Sequence, residues 1–214
     1  MNQRQVWDII AEPWQKFRKK IPSEIEEFLK TKKGKILDLG CGSGRNLIKN
    51  KKIVFYGVDF SETMLNFAKK NAKKQQIKAK FFKSEAENLL FQDNFFDSAI
   101  FISTLHCIDT KEKRKKTLSE LYRVLKNKGE AMISVWNKKA KRNIDSEAKE
   151  GFVIWRKGNK KLERYYYFYD KNELGKELKA SGFKVIKKEP ILESKHSKKN
   201  IILYVKKTTG TVKK

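Results

Sequence analysis

Hydrophobic positions recur along this chain with two periods, and the switches between them lay out its elements. Val6, Trp7, Ile10, Trp14 and Phe17 return at helical spacing, which predicts a helix over residues 3–19. Pro22 and Ser23 open a second helix that runs to about Leu29. A short apolar run predicts a strand at 35–39, and a helix is expected over 44–50. A second strand follows at 53–59. Ser61 then caps a helix that buries Met64, Leu65 and Ala68. Further strands are predicted at 79–83 and 97–103, the latter entered by Phe95-Phe96-Asp97. A long basic helix over about 111–126 turns Leu118, Leu121, Val124 and Leu125 inward, and a turn at Asn127-Lys128-Gly129 leads to a strand at 130–136.

Beyond that strand the pattern changes. Residues 137–150 are polar and basic and read as a loop. Two apolar runs, 152–155 and 162–168, flank Lys157-Gly158-Asn159-Lys160 and predict a hairpin. A helix at 171–181 ends at Gly182, strands at 183–188 and 200–206 follow, and the tail from Thr208 is expected to fray. Alternating strands and helices imply an α/β fold with a mainly parallel sheet covered on both faces. Two late strands with no helix between them imply an antiparallel strand at one edge. The expected organisation is a single domain over 1–207, with N-terminal helices at 1–31, a basic insert and hairpin at 137–169, and a flexible tail at 208–214. No internal repeat is present.

Charge changes the picture most. The 214 residues carry 51 Lys and Arg against 25 Asp and Glu, a formal net charge of +26. That excess predicts a polyanionic partner, nucleic acid first. A lysine-rich surface without such a partner is the alternative. No apolar run has membrane-spanning length, and the polar, amphipathic start argues against a signal peptide. Cys41 and Cys107 have no metal-ligand spacing and form no disulfide framework, which fits a reducing cytoplasm.

The candidate chemistry begins at Asp38-Leu39-Gly40-Cys41-Gly42-Ser43-Gly44, where a strand meets glycine at every second position. Such a turn leaves no Cβ between the backbone and a nucleoside-bearing ligand. A dinucleotide fingerprint would need glycine at 45, where this chain has Arg45. Asp38 is unfavourable beside a pyrophosphate and suits a cationic, amino-acid-bearing ligand. Together these point to S-adenosylmethionine rather than NAD. The second strand ends in Asp59, whose carboxylate can accept from both ribose hydroxyls, or can instead cap the following helix. Strand three ends in Ser84-Glu85-Ala86-Glu87, where Glu85 and the Ala86 N–H are candidates for the adenine and a plain surface acid is the alternative for Glu85. Strand four leads to Ser103 and His106, on the methyl side of the cofactor.

The turn resembles that of the class I methyltransferases, and later segments narrow the resemblance. Phe96 to His106, then Leu118-Ser119-Glu120-Leu121-Tyr122-Arg123-Val124-Leu125, then Val135-Trp136 and Arg164-Tyr165-Tyr166-Tyr167 are similar to the tRNA wobble-uridine (5-carboxymethyluridine) carboxyl methyltransferases. So is the start, Val6-Trp7-Asp8-Ile9-Ile10-Ala11 through Arg18 and Pro22. The similarity covers most of residues 5–206. The chain departs from the family at His106-Cys107, where two histidines are common, and at Asn127-Lys128-Gly129, where Pro-Gly-Gly is usual.

This resemblance implies a Rossmann-like class I methyltransferase fold with a seven-stranded, mostly parallel sheet. It also implies S-adenosylmethionine as cofactor, the tRNA anticodon loop as substrate and a small zinc-binding activator subunit as partner. The reaction implied is methyl esterification of a carboxylate. Cofactor-side residues are Asp38, Gly40, Gly42, Gly44, Asp59, Glu85, Ala86 and Ser103. Candidates for the substrate side are Arg18, His106, Arg164 and Tyr165, with a surface ion pair as the alternative for each arginine and a structural role for the histidine. Tyr165 and Tyr166 alternate along a strand, so at most one of them faces the substrate. Trp136 and Trp155 read as core. Lys138, Lys139, Lys141 and Arg142, with Lys157, Lys160 and Lys161, could follow an RNA backbone or form a solvated loop. A small-molecule methyltransferase and a non-catalytic RNA-binding module are the competing functions; the intact glycine turn and Asp59 argue against the second.

Overall fold

The computed structural model describes residues 1–139, 148–187 and 195–208. In chain order the elements are α1 (Gln3–Phe17), α2 (Ser23–Lys30), β1 (Gly34–Leu39), β2 (Ile53–Asp59), α3 (Glu62–Lys74), β3 (Ala79–Lys83), β4 (Phe96–Ile102), α4 (Lys111–Val124) and β5 (Leu125–Trp136). Then come β6 (Glu150–Lys157), β7 (Lys160–Tyr167), α5 (Lys171–Ala180), β8 (Phe183–Lys187) and β9 (Asn200–Lys207). Seven strands form one sheet in the order β3-β2-β1-β4-β5-β9-β8, and β6 and β7 form a separate hairpin. β9 runs antiparallel to both neighbours, and every other pairing in the large sheet is parallel. The antiparallel strand therefore stands one place in from the β8 edge.

Strand alternation divides the apolar residues between two layers. Leu37, Leu39, Val58 and Phe101 face Leu118 and Leu121 of α4 and Leu174 and Leu178 of α5. Ile36, Phe55, Ile100 and Met132 face Ile25, Phe28 and Leu29 of α2 and Ala72 of α3. Nearly continuous burial along β1, β2 and β4 is what a parallel sheet covered on both faces requires. Among the described residues no helix is long and apolar enough to cross a membrane.

Two local expectations fail. No helix forms over 44–50; residues 42–46 are a turn and 47–50 are irregular. Gly44 has φ +76°, and the segment carries a glycine and two asparagines over seven residues, too short to offset helix nucleation. β5 starts at Leu125 rather than at 130, because Phe96 pairs with Leu125 and the expected turn becomes an irregularity within the strand, with Lys128 at φ +65°. Of the tail expected to fray from Thr208, residues 209–214, and of the loop expected at 137–150, residues 140–147, lie outside the described residues.

The parallel strands deliver their carboxyl ends, at Leu39, Asp59, Ile102 and Trp136, to one rim. α1 lies across that rim. Its Asp8 carboxylate accepts from Ser61 Oγ at 2.5 Å and from the Thr63 N–H at 3.3 Å. Gln3 joins it to the hairpin, accepting from the Tyr165 N–H and donating to the Glu163 carbonyl. The rim is thus roofed by α1 and walled by β7.

Candidate active site

The three glycines of the turn all have positive φ, but they do different work. A Cβ on Gly40 would stand 2.3 Å from the Thr104 side chain, and one on Gly44 would press on Ala68 at 3.2 Å. These two positions let neighbouring elements close up. A Cβ on Gly42 would meet nothing nearer than Met64 Sδ at 4.0 Å, so it would project into open space. Gly42 is therefore the position that keeps a cradle clear.

Two carboxylates stand at this cradle. Asp59 accepts from the Gly42 N–H at 2.8 Å and from the Ser61 N–H at 3.0 Å, one on each oxygen. Burial pushes its pKa up to about 6, against the pull of those two N–H groups. The helix cap itself is Ser61, whose side chain accepts from the Met64 N–H. Asp59 lines the cavity and keeps spare lone pairs on each oxygen for further donors. Asp38 is fully buried beneath the lining, and neither of its oxygens has a hydrogen-bond partner. Burial pushes it up to about 7, with Arg45 opposing the shift. An unpaired buried carboxylate is costly unless something cationic completes it.

Two adjoining hollows share Gly40, Asp59, Phe60, Thr104 and Cys107. The second hollow runs past Glu85 and Ala86, where the sequence placed the adenine. Glu85 is ion-paired there with Arg4 of α1, which ties the roof to this end of the trough. The first hollow contains Ser103, at φ +56°, and His106. His106 is buried and its Nδ1 accepts from the Trp136 N–H at 3.3 Å, which leaves the ring proton of the neutral imidazole on Nε2. The imidazole stacks with Trp136 and Tyr166, whose own rings lie 4.0 Å apart and 7° from parallel. Trp136, read as core from the sequence, is a wall of this hollow.

Arginines supply the charge. Arg18 lines the first hollow, its guanidinium 4.9 Å from the Trp14 ring, with Nε buried and unpartnered. Burial lowers its pKa, and Arg164 adds to that. Arg45 also lines the hollow; burial, and then Arg18, bring it down to about 10. Arg164 sits one layer back, donating to the Tyr166 hydroxyl at 2.8 Å, with its guanidinium 5.3 to 5.9 Å from the rings of Trp7, Trp14, Trp155 and Tyr166. Among the described residues none of these three arginines is paired with a carboxylate.

One substrate-side assignment is corrected. Tyr165 points away from the hollow: its hydroxyl lies 2.5 Å from Glu150 and 3.4 Å from Arg114, and its ring belongs to the main core. The period of two on β7 puts Tyr166 on the site side instead. The sequence reading also passed over Trp7, Trp14 and Arg45. Trp7 and Trp14 were legible only as one face of an amphipathic helix, and Arg45 only as the residue that excluded a dinucleotide fingerprint. Lys141 and Arg142 lie outside the described residues.

The site fits the cofactor implied by the sequence. Asp38 offers a buried carboxylate, only partly offset by Arg45, for an ammonium, Gly42 an open cradle and Asp59 acceptors for a diol. The methyltransferase-domain family matches residues 30–182. The tRNA (carboxymethyluridine(34)-5-O)-methyltransferase of Arabidopsis thaliana is 38% identical over 101 residues, covering 47% of this chain and 24% of that protein. A protein of the same description from Xenopus tropicalis is 31% identical over 133 residues, covering 61% and 20%. The chain thus spans a quarter or less of the length of these two relatives. A solved S-adenosylmethionine-dependent methyltransferase from Clostridium acetobutylicum superposes with TM-score 0.70 at 18% identity, over 94% of this chain and 99% of that one, and shows the shared fold. With its glycine cradle and orphaned carboxylate, the chain belongs to the methyltransferase-domain family and is a class I methyltransferase that uses S-adenosylmethionine.

Proposed function

We propose that this methyltransferase esterifies the carboxylate of a 5-carboxymethyl group on the wobble uridine of tRNA. One observation carries the reading: three arginines, Arg164 buried and Arg18 and Arg45 part-buried, gather beside the cofactor cradle with no carboxylate in salt-bridge contact among the described residues, so the acceptor side is built for an anion. The similarity to carboxymethyluridine methyltransferases and the charge of +26 support an RNA-borne anion. When bound, S-adenosylmethionine supplies an electrophilic methyl group. A carboxylate with a pKa of about 4 is already ionised at neutral pH, so no side chain need act as a base. Arg18 and Arg45 hold the acceptor and position it; Arg164 orients Tyr166 and adds positive potential. Trp7, Trp14 and Trp136 exclude water, and His106 lies within the same aromatic stack. The resemblance adds a small zinc-binding activator subunit as partner and a cytoplasmic setting.

The test is incubation with labelled S-adenosylmethionine and carboxymethyl-bearing tRNA, with and without the activator subunit. Mild base should release the label as methanol if an ester has formed. A small-molecule acceptor is the second reading, favoured by the tryptophan-lined roof of α1. A kcat/KM that falls steeply between low and moderate salt supports tRNA, and a flat profile supports the small molecule.

Cofactor binding should depend on pH. Unliganded Asp38 titrates at about 7, and the cofactor's ammonium favours its ionised form. Binding therefore releases a proton below that pH, and affinity for S-adenosylhomocysteine should rise from pH 5.5 towards pH 7 by up to about tenfold per unit and level off above it. Calorimetry in buffers of different ionisation enthalpy measures that proton; a pH-independent affinity would remove Asp38 from the ammonium site. The glycines should separate in the same assay. Gly40→Ala should lower the melting temperature through its clash with Thr104. Gly42→Ala, facing open space, should lose cofactor affinity with the smaller stability loss of a strained left-handed alanine. Tyr165→Phe should leave turnover within about twofold, because its hydroxyl serves Glu150 and Arg114 outside the site; a large loss would restore it to the substrate side.

A further inference from the structure

The β6–β7 hairpin has two faces, and only one is used by the site above. Register pairs Gly151 with Tyr166, Val153 with Arg164 and Trp155 with Leu162, and this face packs on α1 and the hollow. The opposite face pairs Phe152 with Tyr165, Ile154 with Glu163 and Arg156 with Lys161. Its Phe152 and Ile154 are 56% and 48% exposed, two adjacent same-face apolar side chains in water on a chain otherwise rich in lysine. The Phe152 ring rests on the edge of Tyr165 at 5.9 Å and 73°, and Tyr165 is itself fixed by Glu150 and Arg114. The exposed ring is therefore held in place rather than swinging free. At the tip of the hairpin stand Arg156, Lys157, Lys160 and Lys161, with Glu163 as the acid beside Ile154.

We propose that this outer face is a stacking platform for single-stranded RNA: Phe152 takes a base flanking the modified nucleotide, Ile154 extends the apolar surface, and Arg156 and Lys161 take the adjoining phosphates. The inference rests on the tRNA reading of the site. Charge selects RNA as the occupant: an aromatic side chain with Arg156 and Lys161 farther along the same face, on a chain of net charge +26, suits a base with its phosphates, and Glu150 and Glu163 are the acids of that face. Position supports it too. The hairpin residues that back this face, Arg164 and Tyr166, stand at the acceptor end of the site, so a nucleotide held there has neighbours within reach of the same hairpin.

The test uses the full chain and a fluorescein-labelled anticodon stem-loop RNA with plain uridine at the wobble position, followed by anisotropy across a salt series. Phe152→Ala should weaken binding about tenfold, and Phe152→Trp should restore it. Arg156→Gln with Lys161→Gln should make the salt slope shallower by one to two. Glu163→Gln should tighten binding. S-adenosylhomocysteine affinity should stay within twofold in all four. RNA affinity unchanged in Phe152→Ala and Ile154→Ala overturns the platform and leaves the face to a protein partner; so does a loss confined to the charge variants. Turnover of carboxymethyl-bearing tRNA, run in parallel, separates the two claims. RNA binding that depends on Phe152 without any methyl transfer by the wild type upholds the platform and sinks the proposed reaction. Normal transfer with an unchanged KM in Phe152→Ala upholds the reaction and sinks the platform.

Discussion

Asp59→Ala should abolish measurable S-adenosylmethionine binding, raising Kd by a hundredfold or more. Among the described residues Asp59 is the one acidic side chain that lines both hollows, and it keeps lone pairs free after binding the Gly42 and Ser61 N–H groups. Two ribose hydroxyls donating to it would each contribute about 1.5–3 kcal/mol, the range for hydrogen bonds to charged groups. The substitution also leaves the Gly42 and Ser61 N–H groups without their acceptor, so the glycine turn loses its anchor to β2. Melting curves distinguish this from unfolding. Asp59→Asn keeps the shape and one acceptor oxygen but points an amide N–H₂ at a backbone donor, so it should bind with intermediate affinity. Affinity unchanged in Asp59→Ala would remove the ribose assignment.

Arg164 should show the opposite separation. Arg164→Ala is expected to reduce kcat/KM for the tRNA acceptor on the order of a hundredfold while S-adenosylhomocysteine affinity stays within about twofold. The guanidinium is enclosed by aromatic rings, donates to the Tyr166 hydroxyl and has no counter-ion among the described residues. Its charge is felt in the hollow with little screening, because water is excluded. Alanine also leaves a void beside Trp14 and Trp155, which alone costs stability. Arg164→Lys keeps the charge but not the planar fork, and Arg164→Met keeps the bulk but not the charge. If the charge matters, lysine should retain more transfer than methionine. Normal turnover in the methionine variant would assign Arg164 to packing alone.

The cofactor half of the site was legible because it is local. Glycines at 40, 42 and 44, with acids at 38 and 59, are fixed by one strand–turn–strand unit whose geometry is set by backbone conformation. Even there the sequence could not rank the glycines. Gly40 and Gly44 answer to Thr104 and Ala68, which are distant in the chain, and only Gly42 faces the cradle. The helix expected over 44–50 failed for the same reason: seven residues do not hold a helix by propensity, and packing decides.

The acceptor half is assembled from five separate stretches, and periodicity reached it only in part. An alternating strand says that Tyr165 and Tyr166 oppose each other, but not which faces the site. The packing of β7 beneath α1 and beside His106 settles it in favour of Tyr166. Arg45 carries no pattern at all; it becomes notable only when Arg18 and Arg164 are found beside it, none of the three in a salt bridge among the described residues. By itself the sequence determined the layered α/β plan, the strand ends that meet at one rim and the S-adenosylmethionine turn, since these follow from local period and backbone freedom. The tertiary structure alone decided which side of the hairpin forms the anion site and that Phe152 and Ile154 on the other side are left in water, because the choice between two faces of a strand depends on what packs against it.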